Sequence, residues 1–342
     1  MEKQYQTALV IGGGAFGTSV ANLLSESFDN VIIMARSEDV IEGINSGENS
    51  IYLPGKNLNK NISAIKSFED LTTNDSIQLI VSGLPTAAIR PFFSTYQDSV
   101  KSLLEKKVPV VCLSKGIDPD TLELPDDLYF EIFPRHKDLF TFLSGPSFAS
   151  EIMDKQITLA SLAGRSRPVL VQVADMLSCA YFKVFLAYDI KGVLLGGALK
   201  NILAIAGGII EGLGYNHNTR AAMITRGIAE MLRYGKVFNA RPETFYGLSG
   251  MGDLILTTTG DLSRNKTFGM ELAKGRKAKE IIESQRSVVE GYKTALAAHR
   301  LSEKYEIRAR IFNGIYEVLY EDKVPRAIIE NLMMLPAKFE ID

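Results

Sequence analysis

Apolar residues fall in short continuous runs through the first half of the chain and at helical spacing through the second. The runs are residues 7–12 (TALVIG), 30–35 (NVIIMA), 78–82 (QLIVS), 109–114 (PVVCLS), 140–144 (FTFLS), 157–163 (ITLASLA) and 182–187 (FKVFLA). Continuous rather than alternating apolar character suits strands covered on both faces, the habit of parallel sheets. An apolar helical pattern from residue 15 to about 27, with others between later runs, completes a βαβ series. The fold class expected is therefore α/β, a Rossmann-like doubly wound sheet.

From residue 189 the strand-like runs cease and helical periodicity takes over. In residues 218–233, Ile224, Ile228 and Met231 share one face while Arg220, Arg226 and Arg233 fall elsewhere. Asn218 or Thr219 is the expected cap and Gly235 the expected stop. Residues 263–274 repeat the design, with Ser263 as cap, Phe268 and Leu272 one turn apart, and Gly275 as terminator. A boundary near residue 188 thus divides an α/β domain (1–188) from an all-α C-terminal domain (189–342). Such an abrupt join favours a ligand cleft between two closely packed halves.

The chain has 342 residues, enough for two domains, and 46% hydrophobic against 23% charged residues excludes a disordered or fibrous protein. A formal charge of −2 argues against a general nucleic-acid binder. Two cysteines, Cys112 and Cys179, are too few for a disulfide framework or a cysteine-rich zinc site, which fits a reducing cytoplasm. With only three histidines (His136, His217, His299), acid–base chemistry is expected to rest on lysine or carboxylate. The N-terminus shows no long apolar run and no cleavage signature. Residues 192–210 are the most apolar stretch, but they contain Lys200 and five glycines. They read as a buried helix, and stable membrane insertion is not expected.

Gly12-Gly13-Gly14-Ala15-Phe16-Gly17 matches G-x-G-x-x-G directly after a predicted strand and at the start of a predicted helix. Gly12 permits the tight turn, Gly14 lets a pyrophosphate approach the backbone, and Gly17 lets helix pack on strand. Amides at the helix start then face the anion. The structural alternative is a tight connection with no ligand. After the second strand the chain reads Met34-Ala35-Arg36-Ser37, where an NAD site would carry an acidic residue. A guanidinium beside a hydroxyl suits a 2′-phosphate, so NADP is favoured and NAD stays open. Arg36 could instead stack on adenine, and Glu38 and Asp39 lie close by.

Lys200 sits in Gly196-Gly197-Ala198-Leu199-Lys200-Asn201, where burial would lower its pKa toward a useful range. Its bland alternative is a lysine snorkelling to the surface. Lys115 ends a predicted strand, where parallel sheets line their ligand crevice, or else is a loop lysine in solvent. Ser144-Gly145-Pro146-Ser147 follows another strand, and Ser147 also reads as a helix N-cap ahead of Glu151. Asp253, in Gly250-Met251-Gly252-Asp253, can pair with an ammonium. Thr257-Thr258-Thr259 and Ser263-Arg264-Asn265 together offer hydroxyls, a guanidinium and a helix N-terminus, an anion-binding combination.

GGGAFGTSVANLL, CLSKGID, SGPSFASEI, GGALKNILAIAGGIIEGLG, NTRAAMITRGIAEM, GMGDLILTTTGDLSRN, VVEGY and IYEVLYED resemble, in this order, the motifs of the NAD(P)-dependent glycerol-3-phosphate dehydrogenase family. The resemblance spans residues 7 to about 330. It implies an NAD(P)-binding domain followed by a substrate-binding and catalytic domain. The implied reaction is reversible reduction of dihydroxyacetone phosphate to sn-glycerol 3-phosphate for phospholipid synthesis, in the cytoplasm, by a homodimer, without a metal. By the same resemblance Lys200 is the acid–base residue, Lys115 and Asp253 flank the reacting centre, and Asn201 positions Lys200 or the substrate oxygen. Thr257, Ser263, Arg264 and Asn265 would hold the substrate phosphate, with Lys115, Gly145 and Ser147 also at the substrate. Gly12, Gly14, Ala15, Phe16, Gly17, Arg36, Lys115, Ala149, Arg264, Val288 and Glu290 would meet the dinucleotide.

Two departures stand out. Ala15 replaces the family's usual Ser or Asn, which removes one side-chain contact to pyrophosphate, and Ser82-Gly83-Leu84-Pro85-Thr86 replaces a Val-Pro-Ser-His-type stretch. Tyr52-Leu53-Pro54 resembles the family's segment near the cleft. The competing readings are a β-hydroxyacid or ketopantoate-type reductase, and a catalytically silent NADP sensor. The Thr257–Asn265 cluster, better suited to phosphate than to carboxylate, speaks against the first. The joint presence of Lys115, Lys200 and Asp253 speaks against the second.

Overall fold

A computed structural model of the chain describes residues 4–71, 76–284, 289–334 and 336. Among these, β1 (Tyr5–Ile11), β2 (Phe28–Met34), β3 (Ile62–Ile65), β4 (Ile77–Ser82), β5 (Val110–Cys112), β6 (Phe140–Ser144), β7 (Thr158–Gly164) and β8 (Phe182–Ala187) form one sheet, in the order β3-β2-β1-β4-β5-β6-β7-β8. All neighbours run parallel except β6 and β7. Each predicted run is a strand. β3 was not anticipated: Ile-Ser-Ala-Ile is too short to stand out, and its pairing with β2 is what makes it a strand.

The strand order reverses between β1 and β4, which opens a crevice beyond their carboxyl ends. Ile11 lies in register with Met34 on one side and Ser82 on the other. Gly12, Ala35 and Gly83 therefore leave the sheet side by side.

The continuous apolar runs feed two cores. Ala8 and Val10 of β1 join a cluster with Val20 and Leu24 of the helix Ala15–Leu24. Leu9 and Ile11 point the other way, into a cluster shared with Phe93, Tyr129 and the helical half of the chain.

After β8 the described elements are all helical. Asp189 makes the change of direction: its carboxylate accepts from the Gly192 amide at 3.0 Å, the Arg241 amide at 2.8 Å and the Thr244 hydroxyl at 2.6 Å. The helix Ile190–Gly212 that starts there is long and apolar enough to cross a membrane, yet every residue from 192 to 210 is buried inside the protein. A helix apolar all round is the centre of a bundle. It packs backbone to backbone on the helix Arg264–Ala273. A Cβ on Gly208 would fall 2.0 Å from the Lys266 carbonyl oxygen, and one on Gly269 would fall 2.1 Å from that of Ile205.

Two expected helix ends are corrected. The helix His217–Val237 starts after Asn216, so Asn218 and Thr219 lie inside its first turn and cap nothing. It runs through Gly235, whose missing side chain makes room for the Phe245 ring 2.6 Å from the Cβ position. Gly235 is a packing site there and not a stop. The design expected for residues 263–274 holds: Ser263 Oγ accepts from the Lys266 amide at 3.2 Å, and Gly275 follows with φ +89°.

Candidate active site

The glycine turn is shaped by steric need. Gly12 has φ +115°, and a Cβ there would fall 2.9 Å from the Gly83 carbonyl oxygen; one on Gly17 would fall 2.1 Å from that of Gly12. Above Gly14, by contrast, a Cβ would meet nothing within 4 Å. The helix Ala15–Leu24 has no side-chain cap, so its first-turn amides remain available to an external anion. The Ala15 methyl adds no donor. Arg36 is exposed just past β2 and has no polar partner among the described residues, while neighbouring Glu38 pairs with Lys66. An open glycine, uncapped amides and an unengaged guanidinium beyond the second strand fit a dinucleotide with a 2′-phosphate.

Lys200 is buried at 7% exposure and does not snorkel. Asp253 is buried at 1% exposure and is delivered by a widened π-type turn, Leu248–Gly252, that runs into the helix Asp253–Thr259. One Asp253 oxygen takes the Lys200 ammonium and the other takes Lys115 at 2.7 Å. Lys200 also donates to the Thr257 hydroxyl at 2.8 Å, and Lys115 to the Gly145 carbonyl at 3.2 Å. Lys115 is not in open solvent, and its ammonium lies 5.6 Å from the centre of the Phe16 ring. Phe16 belongs to the glycine turn, so the cation cluster adjoins the dinucleotide crevice.

Burial lowers the Lys200 pKa to about 8; Asp253 opposes that fall and Lys115 adds to it. Two ammoniums sharing one carboxylate leave a net positive site. That suits an anionic substrate.

Asn201 donates to the Lys115 and Gly197 carbonyls, each at 3.4 Å, and accepts from Asn265 at 3.0 Å. Asn265 in turn accepts from the Gly291 amide at 3.1 Å. Asn201, Asn265 and Lys115 are thus one relay beside Lys200. Glu290 begins the helix Glu290–Lys304 at the other end of it. A Cβ on Gly116 would fall 2.6 Å from Thr86 Oγ1 and 3.0 Å from Glu290 Oε2. Burial pushes the Glu290 carboxyl up to about 7.

Other candidates behave differently. Ser147 is not a helix cap: its hydroxyl donates to Gly145 O at 2.9 Å, and Phe148 precedes the helix Ala149–Met153. Ala149 starts that short helix, which packs on the glycine-turn helix. The Ser263 hydroxyl is engaged as a cap, and Thr258 and Thr259 turn back onto helix carbonyls. Arg264 is exposed at the first position of its helix. Val288 lies outside the described residues.

Sequence reasoning missed Asn49, which is buried and bonded to the glycine turn. It also missed Lys266, whose ammonium reaches Thr259 O, Asp261 and Glu211 and ties down the loop after Thr257. The available signals were an asparagine just ahead of Tyr52-Leu53-Pro54 and a lysine on the apolar side of a predicted helix.

Two profiles of one family match the chain. The profile for the N-terminus of NAD-dependent glycerol-3-phosphate dehydrogenase matches residues 7–169, and that for its C-terminus matches residues 189–330. Glycerol-3-phosphate dehydrogenase (NAD(P)+) of Syntrophotalea carbinolica is 39% identical over 335 residues, 97% of this chain and 99% of its own. The enzyme of the same name from Solidesulfovibrio magneticus is 40% identical over 332 residues, with 97% and 99% covered. The crystal structure of glycerol-3-phosphate dehydrogenase from Coxiella burnetii matches with a TM-score of 0.89 at 29% identity, covering 97% of this chain and 99% of that one.

Proposed function

This chain belongs to the NAD-dependent glycerol-3-phosphate dehydrogenase family, and from that premise we infer that it interconverts dihydroxyacetone phosphate and sn-glycerol 3-phosphate with NAD(P)H. The observation that carries the reading is the pair of lysines on Asp253, next to Phe16 of the glycine turn. The bound dinucleotide supplies or takes back the hydride.

The chain's own residues do the rest. Lys115 and Lys200 draw the anionic substrate in and stabilise negative charge growing on the carbonyl oxygen. Lys200 gives that oxygen its proton as the carbon becomes a secondary alcohol; in the reverse direction its neutral amine takes the proton back. Asp253 and Thr257 hold the Lys200 ammonium in place. Asn201 and Asn265 fix Lys115, and Gly145, Ser147, Ser263 and Arg264 border the substrate. Gly12, Gly14, Ala15, Phe16, Gly17, Arg36, Ala149 and Glu290 border the dinucleotide. An N-terminal profile that ends at residue 169 and a C-terminal one that begins at residue 189 support domains at 1–188 and 189–342. A cytoplasmic homodimer supplying glycerol phosphate for phospholipids completes the proposal.

The deciding assay is oxidation of NADPH and of NADH by the purified protein with dihydroxyacetone phosphate, ketopantoate and hydroxypyruvate in parallel. Preference for either of the last two would restore the ketopantoate-type alternative, which full-length relatives at 39–40% identity disfavour.

With its pKa near 8, Lys200 is mostly charged at neutral pH. Only the charged form can give a proton, so kcat/KM for reduction should fall about tenfold per unit as pH rises above about 8. Oxidation needs the neutral amine and should rise up to the same pH. Profiles with the same slope in both directions would remove Lys200 from proton transfer.

NADP is the favoured cofactor. Arg36→Ala should weaken NADPH about 10- to 100-fold, the scale of a lost charged hydrogen bond, and leave NADH nearly unchanged. An unaltered NADPH-to-NADH ratio in steady-state kinetics would overturn the assignment.

A further inference from the structure

Asn49 lies far in sequence from the glycine turn, yet its carboxamide Nδ2 donates to Gly13 O at 2.9 Å and to Thr18 Oγ1 at 2.8 Å. A carbonyl can only accept, so the amino group, not the oxygen, must face Gly13. Asn49 is 1% exposed, and its loop is anchored elsewhere. Asn59 and Asn61 bond to Ser25 and Phe28 at the far end of the glycine-turn helix, and Lys56 pairs with Asp154. The loop is therefore fastened along the glycine-turn helix, from Thr18 in its first turns to Ser25 at its end.

The Gly13 carbonyl and the Gly14 amide belong to one planar peptide unit and point in opposite directions. Glycines on both sides leave that plane free to rotate unless something holds it. Asn49 holds the carbonyl on the buried side, so the amide points the opposite way, and the space around Gly14 is open, since a Cβ there would meet nothing within 4 Å. We propose that Asn49 is a positioning residue for the dinucleotide, locking the Gly13–Gly14 peptide with its N–H toward the pyrophosphate. The proposal rests on the reading of the turn as a pyrophosphate cradle. It also explains how the turn works with Ala15: lacking a side-chain donor there, it depends on amides held in one orientation.

Asn49→Asp keeps the shape and removes the donor; Asn49→Ala removes the group and serves if the added charge disturbs folding. Thr18→Val takes away only the second acceptor. Titration of each purified variant with NADPH and with NADH should show both dissociation constants raised together, about 10- to 100-fold, at Asn49. Thr18→Val should bind like the parent, and kcat at saturating dinucleotide should stay within about twofold throughout. Parent-like binding by both Asn49 variants would overturn the proposal. So would a loss confined to NADPH, or an equal loss in Thr18→Val, which would trace the effect to helix packing. A parent protein that binds neither dinucleotide would instead sink the cofactor reading itself.

Discussion

Lys200→Ala should lower turnover by about 10²- to 10⁴-fold, the span that a positioned proton donor contributes, while NADPH binding stays near the parent value. Among the described residues, Lys200 alone combines burial, contact with Asp253 and Thr257, and a pKa near 8. Lys115 keeps its own Asp253 oxygen at 2.7 Å, so part of the positive field survives the change. What disappears is the transferable proton, and kcat should carry most of the loss. Rapid-quench or steady-state turnover, set beside a dinucleotide titration, separates the two effects. Equal turnover in variant and parent would end the role assigned to this lysine.

The second large effect is expected at Asp253, which is 1% exposed and shared by two ammonium groups. Asp253→Asn keeps the shape and removes the only negative charge in the cluster. Breaking a buried pair from one side costs about 3–5 kcal/mol, because the remaining charge stays desolvated. Here two charges are stranded together, and the outlet is loss of a proton from one of them. The Lys200 pKa, already drawn down to about 8, should fall further, since Asp253 is what opposes burial. Folded-state stability should drop, and by several degrees of melting temperature. The descending limb of the reduction profile should move to lower pH in the same protein. A variant with parental melting and an unmoved limb would show that Asp253 does not govern the charge on Lys200.

The parallel sheet and the helical second half were legible because continuous apolar runs and 3.6-residue spacing are strong signals at these lengths. β3 was not, because four residues containing Ser and Ala become a strand only through their partner. Gly235 misled for a related reason: glycine stops a helix or admits a neighbour, and only the Phe245 ring decides which. At the site, Lys115, Lys200 and Asp253 were readable as chemistry, each unusual where it stood in the sequence. That one carboxylate bridges both lysines could not be read, since residues 115, 200 and 253 meet only through the fold. Asn49 was invisible for the same reason: its partners, Gly13 and Thr18, are 36 and 31 residues away. Ser147 and Ser263 show that a hydroxyl near a site is often occupied by its own backbone.

The helix that carries Lys200 touches its neighbour without side chains between them: Gly208 and Gly269 leave no room for a methyl group. A rod seated like that can neither slide nor roll without its main chain colliding with another. An inhibitor aimed at this amine therefore meets an unyielding wall. Its design should begin from the fixed position of the nitrogen, and rigid compounds cut to that position should outperform flexible ones that rely on the protein to adapt.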